Sequence, residues 1–278
     1  MCDAMENITN VTNADIAGAI RSLGLSRRPL CVHSSLRSFG WVEGGADAII
    51  DAFLDEGCTL VVPAHSYFFA VGPPPGLRPE RNGWEYDHVQ DWPDLDRTFS
   101  VGSNEISDEM GAIPAAVLQR AGRVRGDHPI DSLAAIGPLA QDLIRVQTPT
   151  DVHAPFARLC EAAGHALLMG VGLDSLTLLH YAEQLAGRRP FIRWANGPGG
   201  EVLEVRTGSC SDGFPKLDAT LAPVERRAQV GNSVWRAFPA AEVVEIAVRA
   251  MTDDPSVTRC KRGDCGRCRD AILGGPLN

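Results

Sequence analysis

The stretch Met169-Gly170-Val171-Gly172-Leu173-Asp174-Ser175-Leu176-Thr177-Leu178-Leu179-His180-Tyr181-Ala182-Glu183 decides the fold class. It begins inside the apolar run Ala166–Val171 (ALLMGV), the pattern of a strand buried on both faces. Gly170 and Gly172 make a turn. Ser175–Ala186 then repeats apolar residues at helical spacing, with Asp174 as its expected N-cap. Buried strand, glycine turn and helix together are the unit of an α/β sheet. Thr177, His180 and Glu183 stand three apart, so they are predicted to share one helix face. The first turns after a sheet strand are where α/β proteins place chemistry. An imidazole there can act as a general base, and a carboxylate can orient it or hold substrate. The alternative is a surface His–Glu pair on an amphipathic helix.

The same alternation of strand and helix continues on both sides. Asn13–Leu23 has helical spacing with Gly24 beyond its end, Pro29–His33 reads as a strand, Ala46–Asp55 as a helix and Thr59–Pro63 as a strand. Pro114–Arg120, Pro138–Ile144, Pro155–Ala163 and Pro239–Met251 read as helices, and Leu133–Ile136 as a strand. Phe191–Ala195 and Val202–Thr207 flank Asn-Gly-Pro-Gly-Gly, a hairpin signal. The expected architecture is α/β: a mixed β-sheet flanked by helices, one compact domain over residues 1–278. Residues 67–101 stand apart as a long irregular insertion, rich in Pro, Gly and aromatics, of the kind that is functional when ordered. Its Trp84, Tyr86 and Trp92, interleaved with Glu85, Asp87, Asp91 and Asp94, suit a clasp for a cationic ligand; a solvated surface loop is the other reading.

Composition bounds the function. Hydrophobic residues are 44% and charged residues 22% of 278, which excludes a disordered chain. The net charge is −9, and Arg259–Asn278 alone carries five basic and two acidic residues, so the rest has 21 basic against 33 acidic, or −12. A body this acidic argues against nucleic acid and anionic membranes and suits a cationic small molecule. No apolar run reaches the ~18–20 residues of a membrane span. Met1–Asp15 lacks a leader pattern, so a cytoplasmic protein is expected. In that setting the eight cysteines are reduced thiols or metal ligands rather than disulfides. Cys31, Cys58 and Cys160 sit in apolar contexts and read as small buried hydrophobes.

Three further segments can carry chemistry. His33-Ser34-Ser35-Leu36-Arg37-Ser38-Phe39-Gly40-Trp41-Val42-Glu43-Gly44-Gly45 runs from a strand through hydroxyls and glycines into a helix, offering backbone N–H groups to phosphate or a carbonyl oxygen. It is neither a Walker loop nor a dinucleotide fingerprint. In Arg125-Gly-Asp-His128-Pro129-Ile-Asp-Ser132 the proline holds His128 out of helical geometry; a functional and a purely structural histidine both fit. The run Cys260-x4-Cys265-x2-Cys268 offers three metal ligands, one short of a structural zinc site, so Cys210, Cys2 or a histidine would have to supply the fourth. Reduced or disulfide-capable thiols, or redox chemistry, are the alternatives there.

Taken together and in order, these motifs resemble the aminoglycoside 3-N-acetyltransferase family, acetyl-CoA-dependent enzymes unrelated in fold to the common GNAT acyltransferases. The resemblance rests on VHSSLRSFGWVEGG at Val32–Gly45, TLVVP at Thr59–Pro63 and Met110-Gly111 before a helix. It continues through His128-Pro129-x-x-Ser132, Ala134–Ala140 (A-x-x-G-P-L-A) and Leu167–Glu183 with T-x-x-H-x-x-E, so it spans nearly the whole chain. Three departures stand out: Gly126 after Arg125 where the family has Ser, His153-Ala154-Pro155 for Gly-Ser-Pro, and Ala115, Ala116 and Gln119 in the helix after Met110-Gly111.

The resemblance implies N-acetylation of the 3-amino group of 2-deoxystreptamine aminoglycosides, hence antibiotic resistance. It implies that Ser34, Ser35, Leu36, Arg37, Ser38, Gly40, Val42 and Gly44 hold acetyl-CoA, with Met110, Gly111 and His128 lining the same groove. It makes His180 the general base, with Glu183 orienting it or binding the substrate ammonium. A hydroxyl such as Thr177 would then suit the oxyanion, and Glu85, Asp87, Asp91 and Asp94 the cationic sugar. Two other readings share these motifs: a relative acetylating another amine in natural-product metabolism, and an inactive zinc-containing binding protein.

Overall fold

The computed structural model describes residues 10–86 and 97–277. In chain order the elements are β1 (Asn10–Val11), α1 (Asn13–Ser22), β2 (Pro29–Ser34), β3 (Trp41–Val42), α2 (Gly45–Asp55), β4 (Thr59–Pro63) and β5 (Ala70–Val71). Next come α3 (Ala112–Gln119), β6 (Val124–Arg125), β7 (Leu133–Ile136), α4 (Ala140–Ile144), α5 (Ala154–Glu161), β8 (His165–Met169) and α6 (Leu178–Leu185). The last are β9 (Phe191–Asn196), β10 (Val202–Thr207), α7 (Asp218–Leu221), β11 (Arg226–Val230), β12 (Ser233–Pro239), α8 (Ala240–Asp253) and α9 (Gly266–Ile272).

Seven strands form a mixed sheet in the order β11-β12-β8-β2-β4-β7-β6. Its centre, β8-β2-β4, is parallel; β12 and β7 run antiparallel on either side. The period-2 alternation of a strand sends successive side chains to opposite faces. Leu30, Val32, Leu60, Val62, Leu167 and Met169 therefore meet α1, α2 and α3 through Ile16, Ile20, Phe53 and Val117. Cys31, Val61, Ala166 and Leu168, with Phe238 of β12, meet the opposite layer through Phe156, Leu143, Leu179 and Val243. Trp235 on β12 stacks on Phe53 with centroids 5.7 Å apart, an aromatic pair that adds about 1 kcal/mol beyond its buried area. The mixed sheet with helices on both faces is the architecture expected from the sequence.

Local chemistry explains the ends of the elements. Thr12 caps α1 in a capping box with Asp15, and the hydrogen bonds from Thr12 hold the Asp15 carboxyl below its ordinary pKa. Gly24 just beyond α1 has φ +71°, a left-handed conformation that suits glycine. The Phe191–Thr207 hairpin forms as expected, pairing Val202 with Asn196 through Thr207 with Phe191. It stands off the main sheet, in a small sheet of its own with β5.

Some details differ from the expectations, and others fill them in. The helix predicted over Ser175–Ala186 begins only at Leu178; Leu173–Ser175 is a separate 3-10 turn, so Asp174 does not cap α6 and Thr177 is its N-cap. The insertion is partly ordered: Phe69 packs edge-on against Phe99, and Asn82 exchanges two hydrogen bonds with the backbone of Ile192. The β11–β12 hairpin escapes sequence reading because β11 (RRAQV) is a polar edge strand without apolar alternation. Of the cysteines expected to be buried, Cys31 and Cys58 are, while Cys160 is half-buried. Among the described residues, no helix is long and apolar enough to cross a membrane.

Candidate functional site

A cavity of about 790 Å³ opens where β2, β4 and β8 end at their carboxyl termini, the place where open α/β sheets bind ligands. His33 and Ser34 come from the end of β2, Pro63 and His65 from that of β4, and Val171 and Asp174 from beyond β8. Met110 and Pro114 reach in from α3 and the turn before it, His153 and Phe156 from α5, Thr177 and His180 from α6. The far wall is Thr207, Gly208, Ser209 and Ser211 after β10, with Trp84, Arg193 and Arg267. Three carboxylates face the same space: Glu109, Asp131 and Asp174.

His180 and Glu183 are brought together. The His180 Nδ1–H donates to Glu183 Oε2 at 2.7 Å. That bond leaves Nε2 as the nitrogen able to take a proton. Glu183 is 4% exposed, and both of its oxygens are engaged within the protein. Ser209 Oγ donates to Oε2 at 2.6 Å, and Arg188 Nη1 donates to Oε1 at 2.7 Å. Burial pushes its pKa up, but the His180 hydrogen bond and charge, Arg188 and Ser209 outweigh that and hold it below its ordinary value. Glu183 is thus a charged, buried carboxylate with both oxygens engaged, one of them by the imidazole. This geometry suits the orienting role better than capture of an ammonium group. The His180 ring is held from the sides by Phe214 (centroids 4.9 Å) and lies parallel to His153 (6.2 Å).

The other histidines differ. Burial, with His65 and His180 nearby, lowers His33 to a pKa of about 3, and its Nε2 accepts the Thr177 N–H at 3.3 Å. Burial and the neighbouring His180 lower His153 to about 4, and its Nδ1 pairs with Gln184 Oε1 at 2.9 Å. His65 is lowered by burial; its Nδ1 meets the Tyr67 hydroxyl at 3.0 Å while its buried Nε2 has no partner among the described residues. Neutral imidazoles therefore surround His180.

The sequence profile of the aminoglycoside 3-N-acetyltransferase family matches residues 31–252. The chain belongs to that family. It is 33% identical over 181 residues to aminoglycoside N(3)-acetyltransferase VIII of Streptomyces fradiae, covering 63% of this chain and 62% of that protein. It thus spans a little under two thirds of that relative's length. It is also 33% identical over 272 residues to aminoglycoside N(3)-acetyltransferase VII of Streptomyces paromomycinus, covering 87% of this chain and 92% of the relative. Among solved structures it is similar to a variant of aminoglycoside acetyltransferase AAC(3)-IVa in complex with a gentamicin (25% identity, TM-score 0.76, 95% of this chain and 98% of that one). It shares its fold with AAC-IIIb, solved as a binary complex with CoASH (24% identity, TM-score 0.72, 88% and 97%).

Within this family's pattern, the predicted residues divide. His180 and Thr177 line the cavity, and Glu183 lies behind His180. Ser34 and Met110 line it too, with Gly111 beside them: a Cβ there would come 4.0 Å from the Ser34 carbonyl. Ser35, Leu36, Arg37, Ser38, Gly40, Val42 and Gly44 do not line it. Ser35 N–H donates to Met169 O, Val42 is buried in β3, and Gly44 starts α2 at φ +77°. His128 was expected in the groove but is fully buried. Its Nδ1 accepts the Ile130 and Asp131 N–H groups and its Nε2–H donates to Arg206 O at 2.8 Å, which makes it a clamp for the Pro129 turn. Glu85 is exposed and outside the cavity wall; Asp87, Asp91, Asp94 and Trp92 fall outside the described residues, as does Cys2. This chain's own Arg193 lies over the Trp84 ring (4.9 Å) and Arg78 over the Tyr86 ring (5.6 Å), so one face of each is already engaged, while Trp84 also lines the cavity.

Sequence reading missed Ser209, Arg188, Glu109, Asp131, Arg193 and Arg267. Arg188 follows Glu183 by five positions and lies beyond the end of α6, so helical spacing does not connect them. The tail cysteines find their partner: Cys210, Cys260, Cys265 and Cys268 have sulfurs all within 4.8 Å of one another.

Proposed function

We propose that this protein transfers the acetyl group of acetyl-CoA to the 3-amino group of a 2-deoxystreptamine aminoglycoside, and so confers resistance. The observation that carries this reading is the His180–Glu183 pair opening on a cavity that also holds Glu109, Asp131 and Asp174. A polycationic sugar needs carboxylates to receive its ammonium groups and one base to deprotonate the amine that reacts. His180 Nε2 takes that proton, and Glu183 keeps the tautomer that allows it. The neutral amine attacks the thioester carbonyl carbon, the C–S bond breaks, and the CoA thiolate takes the proton carried by His180; the imidazole, neutral again, then accepts the second proton from the acylated nitrogen and passes it to solvent. The Thr177 hydroxyl is the oxyanion donor in this scheme. The step proceeds within a ternary complex and needs neither a metal nor an acyl-enzyme.

Acetyl-CoA is the cosubstrate in this reading. Its thioester arm passes Ser34, Met110 and Gly111. The turn Ser35–Gly44, outside the cavity, takes the nucleotide end, with Arg37 as that turn's cation for phosphate. Acetyl-CoA as donor makes the cytoplasm the working compartment. The structural zinc read from the tail fits beside this chemistry without entering it.

The test is release of free CoA thiol from acetyl-CoA with a panel of aminoglycosides, with the product mass rising by one acetyl group. His180→Ala should abolish turnover while leaving CoA binding nearly intact. No release with any 2-deoxystreptamine compound sinks the proposal; release with other amines only would move the substrate class. Turnover surviving in His180→Ala removes the base assignment.

A further inference from the structure

The four thiols stand at the edge of the cavity wall. Cys210, Cys260 and Cys268 are buried, Cys265 is half-buried, and all four are free of disulfides. Their sulfurs lie within 4.8 Å of one another; a tetrahedral zinc with ~2.3 Å bonds wants sulfurs ~3.8 Å apart. Donors already point at the sulfurs: Cys260 N–H at Cys268 Sγ (3.3 Å) and the Arg262 guanidinium at Cys265 Sγ (3.9 Å). Such outer hydrogen bonds support thiolate ligands. Charge agrees as well. Four thiolates on Zn²⁺ leave two negative charges, in a tail that carries five basic and two acidic residues. Among the described residues, this local apolar cluster consists of the four cysteines alone.

The thiols also connect to the reacting centre. Cys210 directly follows Ser209, whose hydroxyl holds Glu183 at 2.6 Å. Gly208 passes so close to His180 that a Cβ would lie 2.7 Å from its Cδ2. On the tail side, Arg267 between Cys265 and Cys268 lines the cavity, and Asp270 accepts the Gly83 N–H at 2.7 Å, beside the cavity residue Trp84. Two wall segments therefore end on α9.

We propose that Cys210, Cys260, Cys265 and Cys268 bind one Zn²⁺, and that this zinc buckles the wall of the cavity, holding Ser209 against Glu183. Each thiol gives up its proton on binding and no electron moves. The metal site stands on the cysteines alone; its effect on turnover rests on the acetyltransferase reading. Ser209 is a positioning residue, acting through Glu183 on His180.

The experiment uses the unmutated chain, expressed in zinc-supplemented medium. Elemental analysis should find about one zinc per chain, and Cys210→Ser and Cys265→Ser should each fall below about 0.2. Stripping with a mercurial, then dithiothreitol and EDTA, should speed amide exchange about tenfold or more in peptides covering 205–213 and 81–86, and zinc should restore protection. Turnover should fall with stripping and return with zinc, while the far-ultraviolet circular dichroism stays unchanged. Less than half an equivalent of zinc overturns the site. Bound zinc with unchanged exchange in both peptides overturns the buckle. Zinc-dependent exchange without any acetyl transfer supports the buckle and counts against the acetyltransferase reading alone.

Discussion

Replacing Glu183 by Gln removes one charge and almost no volume, and the structure says where the cost falls. Glu183 accepts from His180, Ser209 and Arg188 at 2.6–2.7 Å, and Arg188 is itself 6% exposed. A glutamine keeps one acceptor oxygen and turns the other into a donor. If that oxygen stays with Arg188, the amide NH₂ faces His180 Nδ1 and Ser209. The imidazole must then carry its proton on Nε2, where the base is needed. Removing one partner of a buried ion pair costs about 3–5 kcal/mol, because the other charge is left uncompensated. For a chain of this size that is a fall in melting temperature of about 10 °C. Losing a general base lowers kcat by about 10²–10⁴-fold. The pH dependence supplies a signature. The folded pKa of Glu183 lies below its ordinary 4.5, so its contribution is fully present above the unfolded value and is lost as pH falls through the folded value. The stability gap between the native chain and Glu183→Gln should therefore narrow on acidification below about pH 4.5. Denaturant unfolding across pH measures the gap, and single-turnover thiol release measures the chemistry. A variant within about 1 kcal/mol of the native chain at pH 7, with kcat within about threefold, would refute the coupled buried pair.

His33 and His153 are neutral in the fold and take up protons on unfolding, so stability should fall as pH drops from about 6.5 toward 4; His33→Gln should lower that slope by about 1.4 kcal/mol per pH unit in an unfolding titration. An unchanged slope would mean that His33 is already charged in the fold. Gly208→Ala places a methyl 2.7 Å from the His180 ring; overpacking should cost about 1–3 kcal/mol in denaturant unfolding and kcat of the folded protein should drop at least about tenfold, and normal turnover would show that the ring has room to move. His128→Ala leaves the Ile130 and Asp131 N–H groups and the Arg206 carbonyl without their partner; it should cost about 2–4 kcal/mol in denaturant unfolding while the kcat of the folded fraction holds, and a selective loss of CoA binding would return His128 to the groove.

Much of this site was legible because it is local. His180 and Glu183 are one helical turn apart, and any α-helix over those residues sets them side by side. Ser34 and Met110 follow a strand end and precede a helix, features that glycine and apolar runs announce. What was not legible depends on long closures. Asn82 reaches Ile192 across 110 residues, Gly83 reaches Asp270 across 187, and Ser209 approaches Glu183 through a hairpin that leaves the main sheet. The start of the helix was misread for a local reason: a 3-10 turn at Leu173–Ser175 delays it, so Thr177 rather than Asp174 is its N-cap, while Thr177 and His180 still face the same cavity.

By itself the sequence determined the layers of the fold, the candidate base with its carboxylate, and the family, since periodicity and short motifs act within a turn or a strand. It also determined that the body is acidic and that three tail thiols lack a fourth. Only the tertiary structure decided that Glu183 is filled by Arg188 and Ser209, that His128 is a buried clamp, that the cavity's carboxylates are Glu109, Asp131 and Asp174, and that Cys210 is the missing thiol. Each of these depends on chain segments far apart in sequence, and their meeting is set by how the hairpin and tail pack against the sheet, which no local pattern encodes.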